Sequence, residues 1–119
     1  MIAKEDILEL LKSTESYRVE RTVSTGNMDK FCEAICAFAN DMPGSRKNGY
    51  LIIGAKDDGS IAGMKVDDAL LKKIAGIRSD GNILPLPTMS VERFSFPEGD
   101  LLVAEVRPSD LPPVRYRGR

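Results

Sequence analysis

The stretch Gly49–Gly63, GYLIIGAKDDGSIAG, decides how the chain is arranged. Leu51, Ile52 and Ile53 form a continuous apolar run, which suits a strand covered on both faces rather than one with a wet side. The Asp-Gly in KDDGS is the signature of a tight hairpin turn, and SIAGMKV reads as the strand returning from it. Asp57 and Asp58 thus have a plain role as turn residues. A second role stays open, because a carboxylate at a strand end can also carry chemistry.

Upstream of this strand, Ile2–Ser13 places Ile7, Leu8, Leu10 and Leu11 at helical spacing between charges. Tyr17–Ser24 alternates, with Tyr17, Val19 and Val23 on one side and Arg21 as the intruder among them, so a first strand is expected there. The segment TGNMDKFCEAICAFAND carries Phe31, Ile35 and Phe38 at helical spacing, with Asn27 placed to cap its N-terminus. MPGSRKNG follows as an exposed loop, in which Pro43, Gly44 and Gly49 bracket Arg46 and Lys47.

Downstream, Asp67 opens a third helix whose inward stripe is Leu70, Leu71, Ile74 and Ile77. From Thr88 to Phe96 the apolar residues change parity, Met89 and Val91 belonging to one set and Phe94 and Phe96 to the other. A bulge near Glu92 and Arg93 would produce that pattern. The turn at Pro97–Asp100 leads into LLVAEVR as its partner strand. In PSDLPPVRYRGR, Val114 and Tyr116 alternate with Arg115, Arg117 and Arg119, which puts three guanidinium groups on one side if the segment is extended. This unfinished final strand suggests that the natural protein continues. The expected order is α-β-α-ββ-α-ββ, an α/β (α+β) fold with a mixed sheet and helices packed on it, in a single domain over residues 1–119.

Composition narrows the function. The 119 residues are 42% hydrophobic and 29% charged, which fits a globular domain. No apolar run approaches the roughly 20 residues that cross a bilayer, and the acidic amphipathic start is no signal peptide. A cytoplasmic protein without membrane contact is expected. Seventeen basic residues against eighteen acidic ones give a net charge of -1, so any nucleic-acid binding must come from a local patch. The chain has no histidine, which removes the commonest general base and transition-metal ligand. Cys32 and Cys36, four apart on one helical face, read as small buried side chains.

Taken together, ESYRVE, AICAFAND, GYLIIGAKDDGSIAG and PPVRYRGR resemble the Schlafen/AlbA-type domain, a DNA-binding module at the N-terminus of many bacterial transcriptional regulators. The resemblance spans Glu15 to Arg119. It implies an Alba-like fold, association with nucleic acid (DNA ahead of RNA), a role in transcription regulation, and a further C-terminal part. Similar chains have been described as ATP-binding, but no G-x-x-x-x-G-K-[ST] phosphate loop occurs here. In Schlafen relatives that cut RNA, two glutamates five apart and a later aspartate bind divalent metal. The matching positions are Glu15, Glu20 and Asp57, so a nuclease reading makes these three both catalytic and metal-binding, with Mg²⁺ or Mn²⁺ as the cofactor. This chain departs from the family in having Arg21 and Thr22 where an aromatic residue and a lysine usually follow the second glutamate.

The leading expectation is a non-catalytic nucleic-acid-binding domain without a cofactor, contacting phosphates through Arg46, Lys47, Arg115, Arg117 and Arg119. The alternatives are the metal-dependent nuclease and a nucleotide-binding or assembly module that forms a homodimer through an exposed sheet edge. Tyr17 and Tyr116 read either as base-stacking groups or as core edges.

Overall fold

The computed structural model describes residues 2–12 and 18–118. Its elements are α1 (Lys4–Lys12), β1 (Val19–Thr22), α2 (Met28–Asn40), β2 (Gly49–Ile53), α3 (Asp68–Ala75), β3 (Ile83–Leu84), β4 (Met89–Phe96), β5 (Gly99–Val106) and β6 (Arg115–Tyr116). Four strands form one mixed sheet in the order β1-β2-β5-β4. β1 and β2 are parallel and are joined through α2, whereas β2–β5 and β4–β5 are antiparallel.

The apolar run of β2 explains this layering. Leu51 and Ile53 point into a core shared with α2 and α3, while Ile52 points into a second core under α1. All three side chains are fully buried. Burying each one stabilises the fold by about 1.5–3 kcal/mol, so the strand cannot occupy an edge or a one-sided sheet without forfeiting that gain. β5 alternates in the same way, with Leu102, Ala104 and Val106 on the α2 side and Leu101 and Val103 on the α1 side.

Local chemistry sets the helix ends. Asn27 caps α2 by accepting from the Lys30 N–H at 3.1 Å, and Asp67 caps α3 by accepting from the Leu70 N–H at 2.8 Å. Gly49 packs its backbone directly on the Phe38 ring, where any Cβ would overlap the ring atoms. Gly99 has φ +147° and lies so close to Gly63 that a Cβ would come within 2.7 Å of the Gly63 Cα.

Three expectations need correction. SIAGMKV does not return as a strand. Beyond the turn only a single bridge, Ala55 to Ile61, forms. The reason is that β2 already has β1 on one side and β5 on the other, so no edge is left for it to pair with. Instead the segment is tied to the start of β5, where the Val66 N–H donates to Asp100 Oδ2 at 3.0 Å and the Asp100 N–H donates to the Met64 carbonyl at 2.8 Å.

Nor does β4 contain a bulge, since its register with β5 is unbroken from Met89 opposite Val106 to Phe96 opposite Gly99. The parity change arises because the two ends of the strand are covered on opposite faces. Met89 and Val91 meet the α2–α3 core, and Phe94 and Phe96 meet the α1 core.

The first strand is also shorter than expected and ends at Thr22, whose Oγ1 accepts from the Ser24 N–H at 3.0 Å and turns the chain. Val23 is consequently exposed. Arg21 is indeed on the apolar side, only 4% exposed, and donates to the Asp57 carbonyl at 3.0 Å.

Candidate nucleic-acid interface

The basic loop after α2 is built around one carboxylate. Asp41 ends the helix in the left-handed conformation at φ 46°, with its N–H on the Ala37 carbonyl. Its Oδ1 accepts from the Ser45 N–H at 3.1 Å and the Ser45 hydroxyl at 2.8 Å, and its Oδ2 accepts from the Arg46 N–H at 2.7 Å. Those donors, the Arg46 N–H foremost, hold the Asp41 carboxyl below its ordinary value. Arg46 itself sits at φ 58°, a left-handed conformation that is uncommon for an L side chain and is fixed here by the hydrogen bonds on either side. The loop thus presents Arg46 and Lys47, both exposed, on a defined backbone.

Arg46 shares a cleft of about 530 Å³ with Arg107, which stands just past the end of β5; Asn48, Ser109 and Asp110 also line it. Arg18 lies close by, its guanidinium donating to the Asn48 carbonyl. Asn48 and Tyr50 both donate to Glu105 Oε2, at 3.2 and 2.9 Å. Burial, followed by this carboxylate, pushes the Tyr50 phenol up to about 12. Four cations (Arg18, Arg46, Lys47 and Arg107) therefore gather where α2 ends and β2 begins, a place where the helix macrodipole also favours positive charge. Sequence reasoning missed Arg107 and Arg18. Both look like ordinary strand-flanking residues until the tertiary fold places the ends of β1 and β5 beside the loop.

The C-terminal arginines are arranged differently from the expected three-guanidinium strand face. β6 consists of Arg115 and Tyr116, paired with Leu84 and Ile83. Arg117 then turns away at φ 51°, so the alternation stops there. Its guanidinium lies 5.2 Å from the Tyr116 ring centroid. Tyr116 is buried and donates its hydroxyl to Asp29 Oδ1 at 2.6 Å, in the first turn of α2. It is therefore a core-edge residue. Arg117 and the Arg46–Lys47 loop stand at opposite ends of α2. Arg115 is exposed, and Arg119 lies outside the described residues.

Of the carboxylates, Glu15 lies outside the described residues, as does Tyr17. Glu20 points to the α2 side, where its carboxylate is 3.5 Å from the Lys30 ammonium. Asp57 is exposed in the turn beyond β2 and uses its carbonyl, not its carboxylate, to anchor Arg21. Asp58 makes the turn, its Oδ1 accepting from the Ser60 hydroxyl at 2.6 Å and the Ser60 N–H at 2.9 Å. Among the described residues, no group of three or more acids or thiols could hold a metal ion. Glu20 is paired with a lysine from the next helix, and because Glu15 lies outside the described residues the Glu15–Glu20–Asp57 trio stays an expectation of the family resemblance. Cys32 and Cys36 are buried, and burial raises both thiols, Cys36 to about 11. No described helix is long and apolar enough to cross a membrane.

A mixed four-stranded sheet with helices on both faces and a basic loop at one end defines an α/β domain of the kind expected from the sequence. The family profile described as Schlafen, AlbA_2 matches residues 15–119, and the chain belongs to that family. Among solved structures it resembles the solution NMR structure of the N-terminal domain of an ATP-dependent DNA helicase RecG-related protein from Nitrosomonas europaea. The identity is 24% and the TM-score 0.67, over 92% of this chain and 76% of that one. No curated protein sequence matches the chain at a significant level.

Proposed function

We propose that the protein is a nucleic-acid-binding domain that grips backbone phosphates at the end of α2, with Arg46 and Lys47 from the locked loop and Arg107 across the cleft. The observation carrying this reading is the Asp41 lock, which fixes the backbone that presents Arg46 opposite a second guanidinium. Preorganised guanidinium groups lose little freedom on taking a phosphate bidentately. Family membership supports the reading, as does the likeness to a domain of a helicase-related protein. DNA is the favoured polymer and regulation of transcription the favoured setting. Exposed Arg115 and Arg117 extend the contact along the β6 side of α2.

The test is fluorescence anisotropy with a labelled oligonucleotide across a salt series. Each phosphate contact contributes close to one unit to the slope of log affinity against log salt, so Arg46→Ala with Arg107→Ala is expected to flatten the slope by roughly two. Binding that is absent, or indifferent to salt, would falsify the proposal.

A further inference from the structure

A second, smaller cavity of about 170 Å³ adjoins the Arg46–Arg107 cleft. Phe38, Met42, Pro43 and Gly49 line it, with Arg18 and Lys47 also in its wall. The two cavities share Asn40 and Asp41, so only the C-terminal cap of α2 separates them. The small cavity is well below the ~300–1,000 Å³ of sites that enclose whole drug-sized molecules. It has room for about one flat ring system.

Its chemistry is also particular. The walls are mainly apolar, yet two cations reach them from β1's flank and from the basic loop. The Gly49 backbone lies on the Phe38 ring with no side chain between them. Met42 is 88% exposed at the cavity, an unbranched thioether side chain able to fold over a ring. A heteroaromatic ring whose attached backbone carries a phosphate one step away satisfies both cavities together, with its face against apolar side chains and guanidinium and its phosphate between Arg46 and Arg107.

We infer that this cavity receives an unpaired nucleobase, which makes single-stranded nucleic acid the preferred partner; the inference rests on the phosphate-binding reading of the adjoining cleft. A base stacked inside a duplex cannot enter it. The cleft alone would hold either form through phosphates, and the base cavity separates them.

The experiment compares a labelled mixed-sequence DNA oligonucleotide as single strand and as annealed duplex, using the whole chain, its Ala37→Leu variant and the Arg46→Ala/Arg107→Ala variant. Ala37 is exposed on α2 and lines the cavity, and leucine is a good helix former, so Ala37→Leu fills the space without a penalty to the helix. The wild-type chain is expected to bind single strand about tenfold or more tightly than duplex, and Ala37→Leu to abolish that preference while leaving duplex affinity and the salt slope unchanged. Met42→Ala, at a side chain almost wholly in water, is expected to move the preference in the same direction and guards against a folding defect in the first variant. Duplex binding equal to or tighter than single-strand binding overturns the inference and leaves the phosphate reading standing, as does a preference that neither cavity variant changes. Loss of all salt-dependent binding in the wild-type chain overturns both.

Discussion

The Asp41 carboxylate accepts from two backbone N–H groups and one hydroxyl of its own loop, so replacing it with alanine strips the loop of three bonds at once while leaving Arg46 and Lys47 in place. Asp41→Ala is expected to weaken oligonucleotide binding and to speed amide exchange at Ser45 and Arg46, measurable by NMR. The pH dependence follows from the sign of the shift. The folded loop holds this carboxyl below its ordinary value of 3.8, so its contribution is complete above that value and is lost as pH falls through the lowered one. Protection of the Ser45 and Arg46 amides, taken relative to their intrinsic exchange rates at each pH, should thus persist at neutral pH and be lost only in acid.

Asn40 works at the same scale. Its side-chain amide donates to the Val114 carbonyl at 2.9 Å and accepts from the Val114 N–H at 2.7 Å, bracketing the chain just before β6. Asn40→Ala leaves both backbone groups unpaired and is expected to cost about 1–3 kcal/mol, read from the urea midpoint. An unchanged midpoint would show that water replaces the amide without loss. None of this is visible in the sequence beyond the bare residue types, because Asn40 and Val114 are brought together only by the tertiary fold.

At the scale of elements, β2 was the most legible piece, since three consecutive apolar residues admit only a strand covered on both faces. Ile52→Ala should cost about 2–5 kcal/mol, because the fully buried site is enclosed by α1 and β5 and cannot collapse around the void. The caps at Asn27 and Asp67 were equally legible, being local in sequence. What escaped was every feature that depends on a distant neighbour. The missing return strand followed from β5 claiming the free edge of β2, and the parity change in β4 followed from two helices covering opposite faces at opposite ends.

β4 also shows how an edge is guarded. In the phase set by the turn at Pro97 and Glu98, the N–H and C=O groups of Met89, Val91, Arg93 and Ser95 point away from β5. Arg78 donates to the Met89 carbonyl at 3.3 Å and Lys4 to the Ser95 carbonyl at 2.7 Å, so a long cation sits at each end of the open edge. Replacing both Lys4 and Arg78 with alanine is expected to promote self-association, and light scattering that still reports the wild-type mass would remove this account of the edge.

For the molecule as a whole, a net charge of -1 leaves phosphate contact to a local grouping such as Arg46 with Arg107, which shares its cleft with Asp41 and Asp110. The basic loop could be found by reading, because Pro43, Gly44 and Gly49 announce an exposed segment around Arg46 and Lys47. The cleft could not, since Arg107 is some sixty residues away along the chain and joins the loop only through the pairing of β2 with β5. The strand of arginines at the C-terminus was overread for the opposite reason. Alternation suggests an extended strand, but the positive φ at Arg117 ends it after two residues.

The sheet divides the interior unequally, and that division has a consequence for how the molecule breathes. On one side two helices share the cover, while on the other α1, nine residues long, contributes Ile7 and Leu11. A helix of that length has almost no stability of its own and is held down by those anchors, by Leu10 beside them and by Lys4 on the Ser95 carbonyl. The turn bearing Asp57 leans on the same helix, with Gly59 so close to the Leu11 carbonyl that it has no space for a side chain. If this thin layer lifts, the aspartate turn loses its backing in the same event, so hydrogen exchange in α1 and at residues 56–60 is expected to rise together, and protection that falls in one but not the other would separate them.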